Sequence, residues 1–142
     1  MSYKELAIEN QLCFALYNAS RAMTKAYQPH LKKLGLTYPQ YIVMLCLWQH
    51  GSSSVKALGE CLSLDSGTLT PLLKRLEGAQ LVVRKRSEAD ERVVMISLAP
   101  KGAELEQRAL AMRQYMLCQK NEDISALGVL LSQLEQLTSR LK

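Results

Sequence analysis

Residues Val55 to Leu98 read VKALGECLSLDSGTLTPLLKRLEGAQLVVRKRSEADERVVMISL, and the pattern of this segment predicts the fold. Its apolar residues first recur at the spacing of a short helix, and a turn-rich segment from Ser63 to Gly67 follows. Asp65 or Ser66 can cap the next helix, because short polar side chains accept from the free N–H groups that open a helix. The helical apolar positions are Val55, Leu58 and Leu62, then Leu69, Leu72, Leu73 and Leu76. The spacing therefore predicts two helices joined by a tight turn.

Two β-rich runs follow Gly78, Leu81–Arg86 and Val93–Leu98, with the polar segment Ser87–Arg92 between them. A polar segment between two such runs is typical of an exposed hairpin tip. In a winged DNA reader the second helix enters the major groove and the hairpin reaches an adjacent groove. The predicted fold class is therefore mainly α with a small β-hairpin wing, a winged helix–turn–helix.

Positive charge is concentrated in this reader. From Ser66 to Arg86 five positive side chains stand against one acid, Glu77, which leaves a net charge of +4. Such a local excess suits phosphate contacts, although a solvated surface can give the same count. The whole chain has a net charge of +5, which favours an anionic partner.

The size and composition are those of one globular domain. The chain has 142 residues, of which 48% are hydrophobic and 22% charged. No apolar run approaches the roughly 20 residues that span a bilayer, and the first residues, MSYKELAIENQ, lack a signal-peptide core. We therefore expect a cytoplasmic protein with no membrane partner.

The cysteine pattern argues against a zinc site. The four cysteines form no C-x-x-C pair, and the two histidines, His30 and His50, lie far apart in sequence. We expect no metal and no cofactor. Thiols are normally free in a reducing cytosol, so a disulfide here would be a signal. Of the four cysteines, Cys46 and Cys61 are predicted to pack in the interior.

The flanking segments read as further helices. Glu5–Leu34 predicts a long helix with a kink or break at Pro29 and a stop at Gly35. Thr37 and Gln40 form a capping-box pattern before an almost wholly apolar core helix, Pro39–Gln49, and the loop Gly51–Ser54 leads to the reader.

The C-terminal part predicts two more helices. One runs from Pro100 to about Lys120, and after a break at Asn121–Asp123 the other spans Ser125–Leu141. The last helix repeats leucine in a narrow coiled-coil-like seam, which needs a partner. The seam residues are Leu127, Leu130, Leu134, Leu137 and Leu141. We favour a homodimer over packing within one chain. The whole chain, 1–142, is predicted to be a single domain. Its dimerisation helices would come from approximately residues 1–36 and 100–142, and its DNA reader from approximately residues 37–99.

Several motifs resemble the MarR family of winged-helix regulators. The reader, the tip Asp90-Glu91-Arg92 and the segment Leu98-Ala-Pro-Lys-Gly102 carry this resemblance over nearly the whole chain. Leu12-Cys-Phe-Ala-Leu-Tyr17 and Leu36-Thr-Tyr-Pro-Gln-Tyr41 more specifically resemble the organic hydroperoxide resistance regulators within that family. The resemblance implies a dimeric repressor that releases operator DNA when an N-terminal cysteine is oxidised.

The same resemblance implies which residues sense the oxidant. By position the sensing cysteine is Cys13, Tyr27 and Tyr38 match the tyrosines that hydrogen-bond it, and Cys118 matches a resolving thiol. Organic hydroperoxides would convert the Cys13 thiolate to a sulfenic acid, which condenses with Cys118 or with a small thiol. The alternative for Cys13 is an inert core cysteine, for Cys118 it is an exposed passive cysteine, and for the tyrosines it is ring packing alone.

Helix geometry limits how this sensor can be built. Cys13 and Tyr27 lie 14 residues apart on one predicted helix, which separates them by about 21 Å. A kink at Pro29 lies beyond Tyr27 and cannot bring them together. If both serve one site, they must come from different subunits.

Side-chain chemistry suggests the DNA contacts. Hydroxyl groups at the start of the second reader helix can reach base edges or phosphates, and Arg75 suits a phosphate or a guanine. Arg92 at the hairpin tip would enter the minor groove with Asp90 orienting its guanidinium, or the pair only stabilises the turn. The full predicted set is Asp65, Ser66, Thr68, Thr70, Lys74, Arg75, Arg86, Asp90 and Arg92.

Two other functions compete with a peroxide-sensing repressor. One keeps the DNA reader but replaces thiol chemistry with reversible binding of a small phenolic ligand between subunits. The other is a thiol peroxidase that uses Cys13 and Cys118, against which the basic reader argues. We expect no enzyme, since the sequence shows no Ser/His/Asp set, phosphate loop or metal cluster.

Overall fold

The computed structural model describes residues 3–119 and 123–142. Two short 3-10 helices, Lys4–Leu6 and Ile8–Asn10, come first. The other elements are α1 (Leu12–Leu34), α2 (Tyr38–His50), β1 (Ser53–Ser54), α3 (Val55–Leu62), α4 (Ser66–Gly78), β2 (Val82–Arg86), β3 (Val94–Leu98), α5 (Pro100–Gln119) and α6 (Ile124–Leu141). The predicted fold class, a mainly helical winged helix–turn–helix, is confirmed. The chain divides into two compact units, Met1–Glu106 and Gln107–Lys142.

Helix α1 starts later than predicted and continues through its proline. The segment before Leu12 forms 3-10 turns, which the Gln11 side chain stabilises by donating to the carbonyl oxygens of Glu5 (2.8 Å) and Ala7 (3.0 Å). Of the predicted kink or break at Pro29, the break is wrong, because α1 continues through Pro29, which is exposed, so that water can hydrate the carbonyl that its missing N–H would have bonded. The helix ends at Gly35, whose φ of 74° is the left-handed conformation that glycine favours.

Helix α2 is the buried centre of the first unit, as predicted. Its capping box is complete, because Gln40 N donates to Thr37 Oγ1 (3.4 Å) and Thr37 N donates to Gln40 Oε1 (2.9 Å). The helix extends to Tyr38 and His50, one residue beyond the prediction at each end. Its buried side chains are Tyr41, Val43, Met44, Cys46 and Leu47.

The wing contains one strand more than predicted. The three strands are antiparallel in the order β1-β3-β2, and Ser53 and Ser54 of β1 pair with Ile96 and Met95 of β3. The prediction of a loop from Gly51 to Ser54 is therefore wrong for its last two residues. Two serines carry no apolar alternation, so the sequence gives no sign of this short strand.

The reader helices and the wing share one core. Leu58 of α3, Leu69, Leu73 and Leu76 of α4, and Ile96 of β3 are each at most 1% exposed. Because the same leucines were placed on one stripe from their spacing, the predicted helix–turn–helix is confirmed. Burial of this stripe holds α4 against α3 and leaves its opposite face outward.

Helix α5 passes close to the chain at Gly102. A Cβ at this position would collide with the carbonyl oxygen of Leu81, which already accepts a hydrogen bond from Ala99 N (3.0 Å). The carbonyl of Gly102 in turn accepts from Trp48 Nε1 at 2.9 Å. Only glycine allows α5 to approach the Leu81 carbonyl this closely.

We therefore expect Gly102→Ala to lower the free energy of unfolding by about 1–3 kcal/mol, because the backbone must move to admit the methyl group. Urea denaturation measures the loss. Gly128→Ala is the matched control, since a Cβ there meets nothing within 4 Å and the substitution removes a helix-interior glycine. Equal stability of the two variants would contradict the close approach.

The second unit holds the end of α5 and all of α6. On α5, Leu105, Ala109 and Met112 are buried. Residues 120–122, with the predicted helix end at Lys120 and the start of the predicted break, lie outside the described residues. On α6 the predicted leucine seam is not buried. Leu127, Leu134 and Leu137 are half-buried, whereas Leu130 and Leu141 are exposed.

In the described part of the chain, no helix combines the length and the apolar character that a membrane crossing needs.

Candidate functional site

Helix α4 presents a polar, hydroxyl-rich start to solvent. Ser66 and Thr68 are exposed, whereas Thr70 is half-buried. Lys74 and Arg75, farther along the helix, are exposed as well. The leucines hold the opposite face, so these side chains are available to an external partner.

Asp65 caps this helix. Its carboxylate accepts from Thr68 N at 2.7 Å, and this backbone hydrogen bond holds the pKa of Asp65 below its usual range. The carboxylate is therefore ionised at neutral pH and the cap is fully formed. The structure gives Asp65 a positioning role in the reader, alongside the DNA contact predicted for it.

We expect Asp65→Ala to lower the melting temperature and weaken DNA binding, because the Thr68 backbone N–H at the start of α4 loses its acceptor. Asp65→Ser, which restores a capping oxygen, should recover most of both losses. Thermal unfolding at pH 7 measures the effect. The pKa of Asp65 is lowered in the folded state. The stabilisation that the cap contributes should therefore be complete above the ordinary pKa of an aspartate, and it should be lost as the pH falls through the lowered pKa of folded Asp65. An alanine variant as stable as wild type would contradict this role.

At the wing tip, Asp90 binds Arg92 with both carboxylate oxygens. Arg92 Nε lies 3.1 Å from Oδ1 and Nη2 lies 3.2 Å from Oδ2, and the Arg92 backbone N–H also donates to Oδ1 at 3.0 Å. The Arg92 side chain is 90% exposed. The hydrogen bonds from Arg92 lower the pKa of Asp90. A planar guanidinium is thus held in a defined orientation on the outside of the protein.

Two other wing cations have partners within the fold. Arg84 Nε forms an ion pair with Glu77 Oε1 at 3.1 Å, a contact that the sequence analysis did not anticipate. Arg86 Nη1 donates to the carbonyl of Glu91 at 2.9 Å across the hairpin. Arg84 and Glu77 neutralise each other, whereas Lys74 and Arg75 of α4 and Lys85 and Arg86 of β2 are exposed positive side chains.

Cys13 lies in the first turn of α1 and is exposed. Its neighbours Leu12 and Phe14 are 61% and 39% exposed, and Tyr17 one turn later is 61% exposed. An apolar helix face that is open to solvent in a single chain is typical of an interface with another chain. In the single chain Cys13 is therefore not a buried core residue.

Tyr27 and Tyr38 lie together. Their ring centroids are 6.0 Å apart, and Tyr41 lies 6.0 Å from Tyr27 and 6.2 Å from Tyr38. Burial raises the pKa of Tyr38, and the nearby Tyr27 adds to this, so its phenol keeps its proton at neutral pH. Tyr38 also lines an open cleft between α1 and the start of α2.

The structure does not bring Cys13 to these tyrosines within one chain. Cys13 and Tyr27 lie on the same uninterrupted helix, so the separation of about 21 Å expected from the helix rise applies. Cys118 is exposed near the end of α5, in the second unit.

Cys46 and Cys61 lie in direct contact, and their separation along the sequence does not predict this. Their sulfurs are 2.9 Å apart, and His50 lies one helical turn after Cys46. Buried packing, predicted for both, is correct for Cys46 and wrong for Cys61. Cys61 is exposed, although it lies three residues after the buried Leu58 and therefore near the same face of α3. Burial, followed by the Cys61 hydrogen bond, raises the pKa of Cys46 to about 12, so this thiol is a poor nucleophile at neutral pH.

The expectation of no zinc site rested on distances along the sequence. The fold brings Sγ of Cys46, Sγ of Cys61 and a ring nitrogen of His50 within 4.8 Å of one another. One sequence signal predicts part of this cluster. Cys46 and His50 are four residues apart on α2, so they lie on the same face of the helix.

Comparisons with known proteins give consistent results. The family model described as transcriptional regulator SarA/Rot matches residues 25–109. The organic hydroperoxide resistance transcriptional regulator of Bacillus subtilis (strain 168) is 51% identical over 141 residues, which cover 94% of this chain and 96% of the relative. Among solved structures, reduced AbfR bound to DNA has a TM-score of 0.86 at 35% identity over 99% of both chains. Disulfide-formed AbfR, a protein of Staphylococcus epidermidis, has a TM-score of 0.73 at 35% identity over 97% of this chain and 94% of its own.

Proposed function

This chain belongs to the organic hydroperoxide resistance regulators of the MarR family, and on that basis we propose that it is a repressor that senses organic hydroperoxides through Cys13. The oxidised dimer releases operator DNA. The observation that carries this proposal is the exposed Cys13 thiol in the first turn of α1, in a chain that also presents a basic winged reader. The similarity to the Bacillus subtilis regulator, which is 51% identical to this chain, supports the proposal.

The DNA-binding surface consists of the start of α4 and the wing tip. Ser66, Thr68 and Thr70 contact base edges or phosphates, and Arg92 enters the minor groove. Lys74, Arg75 and Arg86 add positive charge for the phosphates, while Asp65 and Asp90 position α4 and Arg92. The DNA-bound form of the similar AbfR supports this assignment.

Two copies of the chain form the working unit. Residues of about 1–36 and 100–142 make the dimer contacts, and residues of about 37–99 make the reader. Exposed apolar side chains on α1 and α6 support this division, because Leu12, Tyr17 and Leu131 are each about 60% exposed in the single chain. Two readers held at a fixed spacing then match two half-sites of an operator.

The sensor is built across the dimer. Since Cys13 cannot meet Tyr27 and Tyr38 of its own chain, it hydrogen-bonds to Tyr27 and Tyr38 of the partner subunit. Both phenols are donors, and donors stabilise a thiolate. The first turn of α1 adds the positive end of a helix dipole beside the sulfur.

Oxidation proceeds in two balanced steps. The Cys13 thiolate attacks an oxygen of the hydroperoxide, the S–O bond forms as the O–O bond breaks, and the alkoxide takes up a proton and leaves as an alcohol. The Cys118 thiol of the partner subunit then attacks the sulfenic acid sulfur, which expels water and forms a disulfide. The disulfide pulls on helices at the dimer contact and changes the spacing of the two readers.

We expect Tyr27→Phe to slow oxidation of Cys13 by about tenfold, because the ring remains while the hydrogen bond to the thiolate is lost. Stopped-flow trapping of the sulfenic acid measures the rate. Tyr3→Phe is the control, since this tyrosine is 73% exposed and lies before α1, outside the Tyr27–Tyr38–Tyr41 group. Equal rates for the two variants would remove Tyr27 from the sensor.

A gel shift on operator DNA tests the function itself. The reduced dimer should bind, cumene hydroperoxide should release it, and dithiothreitol should restore binding. Light scattering on the same samples gives the number of chains. Binding that hydroperoxide leaves unchanged would reject the proposed function.

A further inference from the structure

Helices α2 and α3 bring two sulfurs and an imidazole to one place on the surface of the reader. Cys46 is 4% exposed, whereas Cys61 and His50 are open to solvent. Among the described residues this is the single group of three or more histidine, cysteine or acidic side chains whose ligand atoms converge within 4.8 Å. We propose that Cys46, His50 and Cys61 bind a thiophilic metal ion of the Zn²⁺ class and thereby tie α3 to α2.

The donor set and its spacing fit such an ion. Zn²⁺ prefers thiolate and imidazole ligands at about 2.3 Å and 2.0–2.1 Å, which sets two sulfurs of a tetrahedral site about 3.8 Å apart. The sulfurs of Cys46 and Cys61 are 2.9 Å apart, so they must separate by roughly 1 Å. Cys61 and His50 are exposed and have room to turn, and water can occupy the fourth position.

Two features distinguish this cluster from ordinary packed cysteines. Cys46 and His50 face the same side of α2 because they lie four residues apart, and Cys61 arrives from a different helix. The ligands therefore cross a tertiary contact rather than a local turn. Binding releases two thiol protons to solvent as the sulfurs become thiolate ligands, and it links the folding of α3 to the metal.

The position of the site predicts its effect on the reader. Helix α3 packs against both α2 and α4, so an ion that joins Cys46 to Cys61 restrains the support on which α4 rests. Binding to the folded form alone raises the melting temperature with metal concentration. The bound ion also protects Cys46 and Cys61 from oxidation while Cys13 stays reactive.

Cobalt is the probe, because thiolate ligation of Co²⁺ gives a charge-transfer absorption that Zn²⁺ abolishes on displacement. The parent protein is the full-length Cys13→Ser/Cys118→Ser variant, which lacks the proposed sensor thiols, reduced with a non-chelating phosphine. We expect one Co²⁺ per chain, a thiolate charge-transfer band, displacement by Zn²⁺, and a rise of several degrees in melting temperature with Zn²⁺.

Single substitutions in this parent assign the ligands. Cys61→Ser should abolish the part of the charge-transfer absorption that depends on two thiolate ligands, and it should also abolish the thermal stabilisation by Zn²⁺. His50→Gln should weaken metal binding. His30→Gln, which changes the other histidine of the chain, should leave both unchanged. Reduced parent protein that takes up no Co²⁺, or a band that survives Cys61→Ser intact, would overturn the site. The proposed site would equally be overturned if Cys46 and Cys61 formed a disulfide in air while the reduced protein did not bind Co²⁺. None of these results depends on peroxide sensing by Cys13.

Discussion

A Cys13→Ser regulator should remain bound to operator DNA at hydroperoxide concentrations that release the wild type completely. Serine keeps the size of the side chain but its hydroxyl is not oxidised by peroxides, since the thiolate is the nucleophile. Cys13 is exposed in a single chain, so the exchange costs little folding stability. A gel shift with cumene hydroperoxide, followed by dithiothreitol, measures the response.

Two further serine variants make this result specific. In buffer that contains a metal chelator, so that no ion occupies the proposed Cys46–His50–Cys61 site, Cys61→Ser removes another exposed thiol and should release DNA as the wild type does. Cys118→Ser separates the two oxidation steps, because release without it shows that the sulfenic acid alone suffices. If cumene hydroperoxide releases Cys13→Ser from DNA as it releases the wild type, the Cys13 thiol is not the sensor. A reversibly bound phenolic ligand then becomes the better explanation.

The sequence was most informative where function depends on local pattern. Leucine spacing and a cap at Asp65 or Ser66 predict the start of α4 to within a residue, and the polar run Ser87–Arg92 predicts the exposed wing tip. The identity of the sensing cysteine came from motif resemblance, since an apolar helix stripe gives an inert cysteine as readily as a reactive one. Only the observed start of α1 shows Cys13 to lie in a first helical turn.

Features that depend on tertiary contacts could not be predicted. Arg84 counts as a free charge along the sequence, yet it pairs with Glu77 when β2 folds back beside α4. Ser53 and Ser54 form a strand only because β3 offers them a partner. Cys61 meets Cys46 through the packing of α3 on α2, which no spacing rule along one chain encodes.

Arg92→Ala should weaken operator binding by about 10- to 100-fold and relax the sequence preference beneath the wing, because a groove-reading arginine carries both charge and hydrogen bonds. The slope of log affinity against log salt should also become shallower. Arg92→Lys is the matched control, since it keeps the charge but not the planar group that Asp90 holds. Fluorescence anisotropy on operator and unrelated DNA measures these changes. Affinity and salt slope equal to wild type would place the wing tip away from DNA.

The role of Asp90 can be separated from that of a turn residue by combining substitutions. An acid on a DNA-binding surface repels phosphate, so its presence needs a compensating gain, and its oxygens contact both the guanidinium and the backbone N–H of Arg92. If Asp90 acts by orienting the guanidinium, Asp90→Ala should weaken binding severalfold in the wild type and have no adverse effect in Arg92→Ala. If it only stabilises the turn, the loss should be the same in both backgrounds. We expect the first result, because non-additivity of this kind follows from direct contact between the two side chains.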